Sequence, residues 1–316
     1  MKYKHLFGPV PSRRLGVSLG IDLIPPKTCT LDCVYCECGK TTRLTTERRE
    51  YIPVSNVLKE VDDYLAQKPE LDYITFAGSG EPTLNNKMGQ VIEFLKNSYP
   101  HYHICVLTNG TLFSDPAIRA EVLKADLIIP SLDAATEKTF QQINRPHPKL
   151  NCSKIIAGLV DLRHEFAGEI RLEIFIVPGL NDTNKELQAI KETIEKINPH
   201  RIQLGTLDRP GTENWVQAAD KEKMQQIASF LGRSELIGEF QPRNKIASFN
   251  ESYNDQILDT LRRRPCTLED LQQILNLHPA ELQKYINHLL AMGRIETENR
   301  DRGTFLKLKT GHYGLA

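Results

Sequence analysis

The chain is predicted to fold as an α/β protein, a parallel sheet of six strand–helix units with a small helical module after it. Three observations predict this. Between about residues 15 and 207, short apolar runs alternate with segments of helical periodicity. Such alternation implies parallel pairing with right-handed crossovers. Six units are fewer than the eight that close a barrel. Beyond residue 232 the alternation stops, and three short amphipathic helices and a hairpin follow.

The first strand, 16–24, is stopped by Pro25-Pro26. Helix 54–67 carries Val54, Val57, Leu58, Val61 and Leu65 on one face. Strand 73–77 ends in Gly78-Ser79-Gly80, and helix 88–97 groups Val91, Ile92 and Leu95. Strand 103–107 precedes the turn Thr108-Asn109-Gly110. There follow helix 116–124, strand 127–132, helices 136–143 and 153–166, strand 171–177 ended by Pro178-Gly179, helix 183–197 and strand 201–207. The stretch 232–252, rich in Gly, Pro, Arg and Asn, marks a boundary and gives domains of 1–245 and 253–316. Helices 254–263, 268–275 and 279–292 come next, the second capped by Thr267 with Asp270 three residues on. Strands 294–297 and 304–308 flank a turn, completing a winged-helix arrangement. Ligands of parallel α/β sheets sit beyond the C-terminal ends of the strands, so the loops there carry the candidate site.

Forty basic and forty acidic residues leave a net charge of zero, and nothing global points to nucleic acid or an anionic membrane. The opening residues hold no long apolar core and no stretch approaches the roughly 18 apolar residues of a membrane span, so a cytoplasmic protein without membrane association is expected. In that compartment seven cysteines argue against a disulfide framework. Cys105 lies in the apolar run Ile104–Leu107 and reads as core; Cys152 and Cys266 read as structural.

Cys29, Cys33 and Cys36 follow the first strand in the pattern CxxxCxxC. Two CxxC pairs would make a closed zinc site. Three thiolates on one tight loop suit a [4Fe–4S] cluster with one iron left open to a small molecule. Tyr35, flat and next to the last of the three, can lie beside a planar ligand. Cys38, on the same loop, reads as a bystander thiol, with a reactive or auxiliary role as the alternative. CxxxCx(aromatic)C near the N-terminus resembles the radical S-adenosylmethionine (SAM) superfamily. The resemblance implies a partial (β/α)6 barrel and a cluster whose open iron chelates SAM. It further implies reductive cleavage to a 5′-deoxyadenosyl radical that abstracts a substrate hydrogen, with reduced flavodoxin or ferredoxin as electron donor.

Other strand ends fit that resemblance. Gly78-Ser79-Gly80-Glu81-Pro82 matches the family's GGE element, in which Gly78, Gly80 and Glu81 would meet the SAM ammonium group. Asn109 faces the cofactor in the same scheme; its bland reading is a turn residue. Ser131 and Asp133 alternate onto one side and suit ribose hydroxyls or the SAM carboxylate, with helix capping as the alternative. Leu204 would lie against adenine. Glu173 interrupts an apolar strand as a paired carboxylate or a ligand contact. Arg13, Arg14 and Arg145 suit carboxylate or phosphate, unless they pair with Glu47 or Glu50, and Arg48-Arg49 reads as solvated.

Softer signatures, Pro11–Gly16, Pro25-Pro26-Lys27, Gly80–Thr83 and Ile143–Pro146, resemble the wyosine-synthase-like subgroup, in its stand-alone members with a C-terminal winged helix. The known wyosine synthases have further N-terminal cysteines, and here none precedes Cys29. A radical enzyme acting on tRNA or a protein is therefore expected. The alternatives are a glycyl-radical-enzyme activase and a redox-sensing winged-helix transcription regulator. The tail weighs against the last: residues 253–316 hold nine Lys/Arg and eight Asp/Glu, and DNA binding draws on phosphate neutralisation. Arg262–Arg264, Arg300 and Arg302 leave contact with nucleic acid or substrate open.

Overall fold

The structure, a computed structural model, describes residues 3–12, 14–237, 253–275, 277 and 279–309. In chain order the barrel part runs β1 (Leu6–Ser12), β2 (Gly16–Ile21), β3 (Thr28–Cys29), β4 (Arg43–Leu44), α1 (Val54–Leu65), β5 (Tyr73–Phe76), α2 (Met88–Ser98), β6 (His103–Thr108), α3 (Pro116–Val122) and β7 (Leu127–Pro130). It continues with α4 (Glu137–Asn144), α5 (Cys152–Glu165), β8 (Glu169–Ile176), α6 (Asn184–Ile197), β9 (Arg201–Thr206), α7 (Lys221–Leu231) and β10 (Ser234–Leu236). The tail contains α8 (Tyr253–Arg263), β11 (Cys266–Thr267), α9 (Leu268–Leu275), α10 (Pro279–Ala291), β12 (Ile295–Arg300) and β13 (Gly303–Leu308).

The large sheet has the order β1-β2-β5-β6-β7-β8-β9-β10. The six expected strands occupy its centre, parallel and in sequence order. Two edge strands and α7 were not expected. β1 contains Pro9 and Pro11, which weaken a strand signal but are tolerated where the N–H side has no partner strand. It pairs antiparallel to β2, while the three-residue β10 runs parallel to β9. Along β8, Ile170, Leu172, Ile174 and Ile176 are buried under the helices. Period-two alternation therefore turns Arg171, Glu173 and Phe175 to the concave side. Among the described residues, no helix is long and apolar enough to cross a membrane.

The tail has its own apolar cluster, built on Ile257, Leu261, Leu271, Leu282, Ile286 and Leu306, with Val10 of β1 packed against it. Its capping box forms as expected: Thr267 N donates to Asp270 Oδ2 at 3.0 Å, and Asp270 N to Thr267 Oγ1 at 3.1 Å. The hairpin turn is tighter than the expected 298–303. β12 continues to Arg300, which pairs with Gly303 across Asp301-Arg302. A β11 strand joins the hairpin in a three-stranded sheet. The boundary read at 245 and the site candidate Arg13 lie outside the described residues.

Gly158 of α5 lets the helix pack directly on the loop at Phe113-Ser114. A Cβ there would fall 2.4 Å from the Phe113 carbonyl carbon and from Ser114 N. Alanine normally stabilises a helix interior by about 1 kcal/mol over glycine. Here backbone must move, and overpacking costs about 1–3 kcal/mol. Gly158→Ala should therefore lower the urea midpoint of the protein; a rise would show that α5 can shift without loss.

Candidate active site

The cysteine loop is stitched to the Gly78–Glu81 loop by backbone. Lys27 N donates to the Ser79 carbonyl at 2.6 Å and Glu81 N to the Thr28 carbonyl at 3.1 Å. Gly80 is required by this contact, since a Cβ would lie 2.2 Å from Thr28 O. Gly78, at φ 148°, has Asp22 Oδ1 2.3 Å from its notional Cβ. Both glycines thus admit neighbouring protein atoms, whereas the sequence suggested only ligand approach.

Around this seam lies a cavity of about 240 Å³ lined by Cys29, Cys33, Tyr35, Cys36, Gly78, Gly80, Glu81, Asn109, Ser131 and Asp133. Every residue singled out for the cluster or SAM therefore faces one space, Leu204 excepted. Leu204 is buried in the sheet core and borders a neighbouring cleft instead.

The carboxylates at the cavity are tied down. Glu81 Oε1 accepts from Thr83 N, Thr83 Oγ1 and Thr108 Oγ1 at 3.0, 2.6 and 2.6 Å, and Oε2 from Asn109 N at 2.7 Å. Burial raises its pKa and these donors lower it. Asp133 accepts from Tyr35 Oη, Asn144 Nδ2 and Phe175 N, and burial pushes it up to about 6. It caps no helix; α4 is capped by Thr136. The Tyr35 ring stacks on Phe175 at 3.9 Å and 10°.

Side-chain amides point at two of the thiols. Asn109 Nδ2 lies 3.5 Å from Cys29 Sγ, and Asn144 Nδ2 lies 3.4 Å from Cys33 Sγ. Asn144 was missed as a site residue; the signal was its place at the end of α4, in the stretch 143–146 already noticed as a motif. Burial, with the charge of Glu81, pushes Cys29 up to about 12. Burial, then Asp133, raises Cys33 well above a free thiol, while hydrogen bonding with Cys38 holds Cys36 below one. Among the described residues, no three His, Cys, Asp or Glu side chains converge on a single metal-ion position.

The arginines are used differently from their sequence reading. Arg14 pairs with Glu173 and Arg145 with Glu213, not with Glu47 or Glu50. Arg48 is no solvated residue: it donates to the Thr83 carbonyl at 2.8 Å and pairs with Glu121 at 2.6 Å. In the tail, Arg263 meets Asp22, Arg302 meets Asp208, and Arg300 meets Asn214. These side chains all contact the barrel, the Arg263 bond shielded and the Arg300 and Arg302 bonds at exposed positions. Arg209, fully buried between Glu37 and Asp270, also was not foreseen. Cys105, Cys152 and Cys266 are buried, as expected of structural thiols.

A second cleft of about 880 Å³ opens beside the first, and Tyr35, Cys36 and Glu173 border both. Its walls are the ends of β8 and β9, the cysteine loop, and the tail at Thr267–Asp270, Gln273 and Arg302–Thr304.

The model of the radical SAM superfamily matches residues 23–195, which span the cysteine loop and the loops that meet it. The chain belongs to the radical SAM superfamily. Its members use a [4Fe–4S] cluster and SAM. It is 34% identical over 301 residues to GTPase Obg of Brachyspira hyodysenteriae, covering 94% of this chain and 44% of that one. It thus spans less than half the length of that relative. It is 33% identical over 278 residues to a UPF0026 protein of Methanocaldococcus jannaschii, covering 85% of each. Among solved structures, a radical SAM methyltransferase from Sphaerobacter thermophilus aligns with a TM-score of 0.53 at 16% identity, over 69% of this chain and 66% of that one. That likeness speaks for the radical SAM fold alone.

Glu81 should prove as much a structural residue as a ligand contact. Glu81→Ala strands two buried N–H donors and two hydroxyls, and should cost about 3 kcal/mol in urea unfolding. Glu81→Gln, which keeps the Oε1 contacts, should cost less. Wild-type stability in Glu81→Ala would mean that the loop does not depend on this carboxylate.

Proposed function

We propose that Cys29, Cys33 and Cys36 hold a [4Fe–4S] cluster, and that SAM lies at its open iron against Gly78–Glu81 with Ser131 and Asp133 on the far side. One observation carries this reading: the three thiols share a cavity with a loop that is hydrogen-bonded, backbone to backbone, to the cysteine loop. The donor set fits, with three thiols and no fourth cysteine in a second pair. When bound, the reduced cluster supplies the electron that cleaves SAM to methionine and a 5′-deoxyadenosyl radical.

The chain's own residues do the rest. Asn109 and Asn144 hold their amide N–H groups toward Cys29 and Cys33, which favours thiolate and tunes the potential. Tyr35 is pinned by Asp133 and Phe175, so the loop position before Cys36 is rigid. The 880 Å³ cleft, bordered by Cys36 and Glu173, is the place for a substrate, and it admits a residue or nucleotide of a larger molecule. We read 1–245 as the barrel domain and 253–316 as a winged helix walling that cleft. We keep the wyosine-synthase-like subgroup, with a segment of RNA or protein as substrate and flavodoxin or ferredoxin as electron donor. A DNA-reading sensor fits less well, because Arg263, Arg300 and Arg302 are spent on the barrel.

Two measurements test the assignment after anaerobic reconstitution. Replacing Cys29, Cys33 or Cys36 with Ala should abolish the cluster absorbance, while Cys38→Ala should keep it; an intact cluster in Cys33→Ala would refute the ligand set. Adding SAM should change the spin-resonance spectrum of the reduced protein, and tRNA or cell extract should raise 5′-deoxyadenosine production. A spectrum indifferent to saturating SAM would leave an electron-transfer or sensor cluster as the reading.

A further inference from the structure

Arg263, the last residue of α8, abuts both loops of the proposed cofactor site. Its Nη2 donates to Asp22 Oδ2 at 2.7 Å, its Nη1 to the carbonyl of Asp259 at 2.9 Å, and its guanidinium lies 4.0 Å over the Phe7 ring. Its backbone carbonyl accepts from Cys38 Sγ at 2.9 Å. Asp22 in turn stands against Gly78, close enough that a Cβ on Gly78 would clash with its Oδ1. One tail residue therefore bears on the Gly78–Glu81 loop through Asp22 and on the cysteine loop through Cys38. The Arg263 and Asp22 side chains are only 20% and 21% exposed, so their bond is shielded from the screening that makes surface pairs weak.

Gly78 gives this contact its leverage. At φ 148° the chain there is free to take conformations closed to other residues. Where the loop sits is then decided by what presses on it. The barrel supplies the two backbone bonds at Ser79 and Glu81. The Glu81 side chain adds its bonds to Thr108 and Asn109 at the far end of the loop, and the tail constrains the Gly78 end through a charged bond that fixes direction as well as distance.

We propose that Arg263 is a positioning residue for SAM, the tail's clamp that sets the spacing between the cysteine loop and the Gly78–Glu81 loop. The inference rests on the reading that SAM lies between those loops. It gives the tail a part in cofactor binding in addition to walling the substrate cleft.

The test uses the full-length chain. In reconstituted Arg263→Ala, iron and sulfide per chain should stay at the wild-type level, while SAM affinity, followed by the spin-resonance change of the reduced protein, should fall about tenfold. Arg263→Lys should recover part of the loss, since an ammonium reaches Asp22 without the fork. Asp22→Asn, which keeps the side-chain volume, should weaken SAM in the same direction and add little to Arg263→Ala in the double variant. Arg300→Ala breaks a tail–barrel contact, with Asn214, that reaches neither Asp22 nor Cys38, and should leave SAM affinity unchanged. In the metal-free protein, amide exchange at residues 36–40 and 77–80 should quicken in Arg263→Ala and not in Arg300→Ala. Wild-type SAM affinity and exchange in Arg263→Ala would overturn the clamp. Equal losses in Arg300→Ala would overturn it too, because any loosening of the tail would then suffice. Wild-type protein that ignores SAM would sink the parent reading; the exchange comparison needs no SAM and still decides the clamp.

Discussion

A carboxylate buried without a cation must be surrounded by neutral donors, and Asp133 is where that requirement organises the site. Its two oxygens collect Tyr35 Oη from the cysteine loop, Asn144 Nδ2 from the end of α4 and Phe175 N from β8. Three elements far apart in sequence are thereby held to one point. The same Asn144 amide lies against Cys33, and Asp32 N returns to the Asn144 carbonyl at 3.0 Å. Leaving any of these groups unpaired in a buried place would cost more than its bond contributes, so the arrangement is tightly specified. Glu81 repeats the device on the other side of the cavity, gathering the Thr83 turn and the end of β6.

The consequence is a site whose first task is to be rigid. The proposed reaction, begun by electron transfer to a bound cofactor, gains from fixed distances and excluded water. The two glycines of the Gly78–Glu81 loop serve this rigidity, because they let protein backbone and Asp22 come into contact where a side chain would hold them apart. Cys29 and Cys33 line the same cavity half-buried, where desolvation disfavours the charged form that a metal needs, and nearby amides offset part of that cost.

The tail changes meaning once its contacts are known. As a sequence it is a nearly neutral module with arginines near its start and in its hairpin, which suits an arm that greets a substrate. Folded, Arg263, Arg300 and Arg302 face carboxylates or amides of the barrel, and Arg209 of the barrel reaches back to Asp270. The cleft beside the cysteine loop is thus walled in part by the folded tail.

Local order determined what could be read directly. The alternation of apolar runs and helical patterns, the spacing of Cys29, Cys33 and Cys36, the Gly78–Glu81 loop, and the Thr267–Asp270 box depend on residues within a few positions of each other, and each was found where the sequence put it. β1, β10 and α7 escaped notice because an edge strand containing proline, a three-residue strand and a short surface helix carry little periodic signal. Only the tertiary structure decided the partners of charged and polar side chains: Arg14 with Glu173, Arg48 with Thr83 and Glu121, Arg263 with Asp22, Asn144 with Cys33. A long side chain can pair with any opposite charge within reach, and reach is defined by the fold. Leu204 shows the same limit: its strand was correctly placed, but which cavity that strand end borders depends on how the sheet curves and on the tail closing beside it.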